Sequence, residues 1–144
     1  MRSHARLALG RLQMSSPEIV AASIALLALL VTGLSMNVSR LRLRHRVSFG
    51  DGGHKDLLVA IRAHGNALEH STLYAALALS AAMLQQASVA WIELSAAAFM
   101  AARCVHVLAI FTRRLALRQL AHIASTMVHI TLAAGVVFSI WLRT

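Results

Sequence analysis

Residues 19–39 read IVAASIALLALLVTGLSMNVS, 21 residues without a formal charge. A helix rises about 1.5 Å per residue, so about 20 such residues cross the roughly 30 Å hydrocarbon core of a bilayer. This stretch is long enough to span. Pro17 stands where a helix start tolerates it, with Ser15 or Ser16 as N-cap and Glu18 in the first turn. Three further runs extend the pattern. Residues 57–84 are interrupted by Arg62 and Glu69, residues 89–111 by Glu93 and Arg103, and residues 119–142 by no formal charge. Open strands would leave backbone groups unpaired in lipid, so the spans read as helices. The fold class is therefore all-α, an integral membrane four-helix bundle. Spans 19–39 and 119–142 lack the polar face that a soluble bundle must turn to water.

Composition agrees. The 144-residue chain is 58% hydrophobic and 13% charged, where soluble proteins run about 45–50% and about 25%. Disorder is excluded by that apolarity, and the lone Cys104 excludes a disulfide scaffold. The net charge of +9 could serve nucleic acid or an anionic membrane surface. The apolar runs decide for the lipid bilayer as partner and against nucleic acid. Residues 1–16 read as a basic extension, with Met14 as an alternative start and no signal-peptide pattern. Residues 17–144 read as the membrane domain. Segment 40–55 reads as a basic loop ending in a flexible Gly-Asp-Gly-Gly turn, residues 85–88 as a tight hairpin, and residues 112–118 as a second basic loop. These two basic loops carry eight cations, and the opposite side of the membrane receives four. The positive-inside rule places the loops in the cytoplasm and both termini outside.

Ionisable groups at membrane depth cost roughly 2.5–3.5 kcal/mol each on insertion scales, and so they need a partner or a cavity. Arg62, Asn66 and Glu69 recur at i, i+4 and i+7. At about 100° per residue they fall at about 0°, 40° and −20°, one narrow face. Such a row of donors and acceptors either braces neighbouring helices or grips a zwitterion. His64 points away from it. Arg118, His122, Ser125 and His129 form a second stripe, read chiefly as interhelical hydrogen bonding. Two histidines two turns apart cannot by themselves ligate a metal, and no metal site is expected. Alanines at 90, 96–98, 101 and 102 allow the third helix a close neighbour, so a second copy of the chain is expected to complete the polar stripes.

The segments Arg46-Val-Ser-Phe-Gly-Asp-Gly-Gly and Ala60-Ile-Arg-Ala-His-Gly-Asn-Ala-Leu-Glu69 resemble the MAPEG family, membrane-associated proteins in eicosanoid and glutathione metabolism. The bacterial, YecN-like inner-membrane branch is the most similar. The resemblance runs from Glu18 to Leu142, with Arg-x-x-x-Asn-x-x-Glu as its specific part. It implies a homotrimer in the bacterial inner membrane, with glutathione as cosubstrate held between subunits near the cytoplasmic side. It implies glutathione-binding roles for Arg62, Asn66, Glu69, Arg103 and His106, and for Arg42 or Arg46 at a glutathione carboxylate. It assigns Arg118 the catalytic role of stabilising the thiolate. The implied activity is that of a transferase or peroxidase acting on lipophilic small molecules; the alternative is a non-catalytic binder or scaffold on the same fold. The chain departs from the family pattern in lacking tyrosines late in the third helix, where His106 and Ile110 stand. Its only tyrosine is Tyr74. Thr72 stands where a proline is common, and His70 where a tyrosine is common.

Overall fold

A computed structural model of the chain describes residues 14–84 and 88–144. The basic extension, apart from residues 14–16, and most of the 85–88 hairpin lie outside them. Four helices follow one another: α1 Ser16–His45, α2 Lys55–Leu84, α3 Val89–Phe111 and α4 Leu115–Trp141. The pairs α1–α2 and α3–α4 pack side by side, contacts of α2 with α4 and of α1 with α3 join them, and α1 and α4 lie diagonally opposite.

Ser15 caps α1. Its backbone N–H donates to Glu18 Oε2 at 2.7 Å and its hydroxyl donates to the same oxygen at 2.8 Å. These bonds, the backbone one foremost, hold the Glu18 carboxyl below its ordinary range. The helix runs six residues beyond the expected span and ends at His45. Segment 40–45 is thus helical rather than loop. The reason is a seven-residue recurrence of buried positions: Val20, Leu27, Leu34 and Leu41 keep one seam against the bundle. Arg46 ends the helix in the left-handed region at φ 55°, and the Val47 N–H returns to the Arg42 carbonyl at 3.0 Å.

The turn that follows is a built one. Gly50, Gly52 and Gly53 all have positive φ. At Gly52 an added Cβ would stand 2.6 Å from a Val47 methyl, so both the angle and the space require glycine. The Arg42 guanidinium donates to the Ser48 and Gly50 carbonyls at 3.3 and 2.9 Å, and Asp51 Oδ1 accepts the Gly53 N–H at 3.1 Å. His45 Nε2 meets Asp56 Oδ2 at 2.9 Å across the turn. That hydrogen bond is the main reason the Asp56 carboxyl is held below its usual range.

At the other end of the bundle, Val20, Leu27, Tyr74, Phe99 and Leu132 form the main core. Tyr74 stacks on Phe99 at 4.3 Å and meets Ser23 Oγ at 3.0 Å. Toward the turns the packing narrows to Leu34 with Ala63 and Ala67, then Leu41 with Leu57 and Ala60. The outer faces are apolar: Leu29, Met36, Leu94, Leu108, Leu120 and Val137 are each more than 60% exposed. A water-soluble bundle does not carry such a surface on every side. Three helices, α1, α3 and α4, are long and apolar enough to cross a membrane. α2 has the same 30 residues as α1. Arg62, His64, Asn66, Glu69 and His70 keep it from matching their apolarity.

Candidate functional site

The polar stripe of α2 opens into a cleft of about 430 Å³, lined by Arg62, Gly65, Asn66 and Glu69 from α2, by His106 and Ile110 from α3, and by Arg118, Gln119 and His122 from α4. Helical phase turns the α2 residues to one side, and the short α3–α4 turn brings the start of α4 across from them. The cleft lies toward the end of the bundle that carries the two arginine-rich turns. Arg62, Glu69 and Arg118 are exposed there. Among the described residues the one ion pair is His45–Asp56, so these three charges keep their heads free. Among the described residues neither Arg62 nor Glu69 forms an ion pair with a neighbouring helix of the same chain.

Beneath the cleft lies Arg103, fully buried. Its Nε and Nη2 donate to Ser125 Oγ at 3.0 and 2.5 Å, Nη2 also reaches the Ala121 carbonyl at 3.5 Å, and Nη1 donates to Asn66 Oδ1 at 3.0 Å. The guanidinium carbon also sits 5.7 Å from the centre of the Phe99 ring. One side chain thereby ties α3 to α2 and α4. No carboxylate pairs with it among the described residues. Its bonds fix something else. A guanidinium offers only donors, so the Asn66 carboxamide must turn its oxygen inward. The Asn66 NH₂ group is left facing the cleft. The cleft therefore presents donors from Arg62, Asn66 and Arg118 and a carboxylate from Glu69, a set that matches a ligand with carboxylates and an ammonium group.

The expected site residues fall in three places. Arg62, Asn66, Glu69, His106 and Arg118 meet around the cleft. Arg42 and Arg46 do not: Arg42 is spent on the α1–α2 turn, and Arg46 is its exposed helix cap. Arg103 is in neither place, because its donors are already engaged below the cleft floor. Gln119 and His122 join the lining although the sequence reading did not assign them to the site. His122 was within reach, since it follows Arg118 by four residues.

A histidine cluster adjoins the floor. His70 and His122 meet edge to face at 5.0 Å, His70 stacks with His129 at 5.3 Å, and His106 lies 6.3 Å from His122. His129 Nε2 pairs with the His70 carbonyl at 3.2 Å. Ser125 donates to the Ala121 carbonyl at 2.8 Å while accepting from Arg103. So Ser125 and His129 do serve as interhelical links, and His122 turns to the cleft. No group of three or more His, Cys, Asp or Glu side chains among the described residues has the arrangement to hold a metal ion.

Comparison with known proteins fits this architecture. The chain is 54% identical over 43 residues to the inner membrane protein YecN of Escherichia coli strain K12, a match covering 30% of this chain and 33% of that protein. The same identity and coverage hold for YecN of Escherichia coli O6:H1. The chain thus spans about a third of the length of the curated relatives it matches. The model of the MAPEG family matches residues 20–138, which takes in all four helices nearly whole, and the chain belongs to that family.

Proposed function

We propose that the protein binds glutathione in the α2–α3–α4 cleft and uses it against lipophilic electrophiles from the bilayer. The observation that carries this reading is the convergence of Arg62, the Asn66 NH₂ group, Glu69 and Arg118 on one open cleft. Glutathione brings two carboxylates and an α-ammonium group, and the two arginines with Glu69 complement them. The thiol is mostly protonated at neutral pH, and a nearby guanidinium favours the thiolate. Arg118 supplies that charge. The sulfur then bonds to an electrophilic carbon, and the leaving group departs with its electron pair. Arg118 offers fixed positive charge where negative charge develops.

The setting belongs to the same proposal. The chain crosses the bacterial inner membrane four times, α2 included, with the arginine-rich turns in the cytoplasm. It assembles as a homotrimer in which a neighbouring subunit closes the open side of the cleft. The exposed alanines of α3, Ala97, Ala98 and Ala101, give a neighbouring backbone room to approach.

A second reading is a binder without turnover. It is favoured by Tyr74, which is buried between Ser23 and Phe99, so no phenol reaches the cleft to assist chemistry. One titration separates the two. Glutathione is added to the detergent-purified protein while thiolate absorbance is followed, and a nonpolar electrophile is added afterwards. The enzyme reading expects thiolate formation lost in Arg118→Ala and binding lost in Arg62→Ala. Binding without thiolate or product leaves the second reading. No binding at all removes both.

A further inference from the structure

A second hollow, of about 530 Å³, lies at the end of the bundle that carries the turns, between the C-terminal part of α1, the start of α2 and the end of α3. It shares no residue with the cleft: α1 takes no part in the cleft, and α4 takes none here. Three arginines stand around it, Arg40 and Arg44 from α1 and Arg113 from the α3–α4 turn. All three are exposed, and none is in an ion pair among the described residues. Arg40 and Arg44 are four residues apart, so helical phase sets them on one face of α1. Asn37 Oδ1 accepts one Arg40 N–H at 2.9 Å, which steadies that guanidinium and leaves its other donors for a ligand. The carboxylate at the hollow is Asp56, and it is committed: Oδ2 lies 2.9 Å from His45 Nε2, and Oδ1 accepts the Leu57 N–H at 2.9 Å. Val59 and Phe111 give the hollow apolar walls.

We propose that Arg40, Arg44 and Arg113 together hold a phosphate group, carried by an anionic lipid headgroup or by a soluble phosphate. Guanidinium forks match phosphate oxygens two at a time. A neighbouring copy of the chain does not supply the anion. Copies in one membrane assembly share an axis along the bilayer normal, so each keeps its groups at the same depth. At this depth a copy brings its own arginine-rich turns, with Asp51 and Asp56 as their carboxylates. Each of these already holds a partner in its own chain. Glu69 lies 13 residues beyond Asp56 on α2, about 20 Å deeper. Glu18 and Glu93 lie near the opposite end of the bundle. Closure of the cleft by a neighbour therefore leaves these three arginines without a carboxylate, and a phosphate brings the missing charge. The argument uses the membrane setting proposed above and not the glutathione reading.

The test follows phenylglyoxal modification of individual arginines by mass spectrometry. It uses the full chain, delipidated in dodecyl maltoside, a detergent without phosphate. Inorganic phosphate is added in one arm and phosphatidylglycerol in another. Arg46, an exposed helix cap that does not line the hollow, reports general screening. Arg44 and Arg113 are expected to be slowed about fivefold more than Arg46, the equivalent of one surface cation on an anionic headgroup. Slowing by phosphatidylglycerol alone identifies the lipid headgroup as the source, and slowing by inorganic phosphate shows that a soluble phosphate suffices. Arg113→Gly removes one guanidinium and suits the left-handed backbone there, at φ 56°. It is expected to raise the concentration that half-protects Arg44 about tenfold, the loss of one charge-assisted hydrogen bond. Slowing of Arg46 to the same degree overturns the proposal, as does no slowing in either arm. Poor reactivity of Arg44 and Arg113 before any addition also overturns it, since a neighbouring subunit then covers them. Glutathione enters neither arm, so the result stands apart from the reading of the cleft.

Discussion

Asn66→Asp should improve the bundle and ruin the cleft. The retained oxygen still accepts from Arg103 Nη1, now at 3.0 Å from a carboxylate rather than an amide. A buried guanidinium without a carboxylate gains one, so thermal stability of the detergent-purified protein should hold or rise. The other oxygen replaces the NH₂ group that faces the cleft. Losing a hydrogen bond to a charged acceptor costs about 1.5–3 kcal/mol. Placing two negative charges about 5 Å apart adds about 3 kcal/mol at an effective dielectric of about 20. Water in the open cleft screens the second contribution. The sum still predicts at least about a hundredfold weaker binding of glutathione, read by isothermal titration calorimetry. Asn66→Ala is the control, expected to lose affinity and stability together. If Asn66→Asp binds as the parent does, the amide nitrogen does not face the ligand and the assignment of the cleft floor is wrong.

Two further outcomes follow from hydrogen-bond direction and from acid titration. The Ser23 hydroxyl donates to the Val20 carbonyl at 2.8 Å, so Tyr74 must be the donor in its bond with Ser23. Tyr74→Phe then costs about 0.5–1.5 kcal/mol, whereas Ser23→Ala strands a buried phenol and costs about 1–3 kcal/mol. Thermal or denaturant unfolding of both variants and the double variant reads this asymmetry, and equal losses would contradict it. Asp56 and Glu18 have folded-state values below their ordinary ones. Their contribution is complete above the ordinary carboxyl range and fades as pH falls through the depressed values. Asp56→Asn and Glu18→Gln should therefore flatten the acid limb of the stability profile and leave its neutral part shaped as before. An unchanged acid limb would remove these pairs as its cause.

The positions of the helices were legible because apolar length alone dictates them. α3 occupies the expected residues 89–111, with the Ser88 hydroxyl accepting the Trp91 N–H at 3.2 Å. The end of α1 and the start of α4 are not legible in this way, because arginine-rich stretches look like loop: residues 40–45 and 115–118 are helical, although composition assigns them to the two basic loops. The signal that carries the helix onward is Leu41, seven residues beyond buried Leu34. At the cleft, the spacing of Arg62, Asn66 and Glu69 gave their shared face, since helical phase needs no tertiary knowledge. Arg103 could not be resolved that way. A cation inside a span reads equally as a ligand contact or a strut until its partners are known, and here they come from helices on either side of it in the chain. The glycine-rich turn misled in the opposite sense. Its composition suggests freedom, yet Arg42, Asp51 and Val47 hold it in one shape.

The position of Arg103 also bears on how the chain enters a bilayer. Asn66 has already been synthesised when α3 leaves the ribosome, but Ser125 and Ala121 have not. During that interval the guanidinium lacks most of its acceptors, and a solitary α3 meets the insertion penalty for a cation in lipid. Release into the bilayer becomes more favourable once α4 has followed and supplied Ser125 and the Ala121 carbonyl. The expected outcome is that the last two helices enter as a hairpin, and that a chain truncated before Ser125 integrates less efficiently than one that includes it.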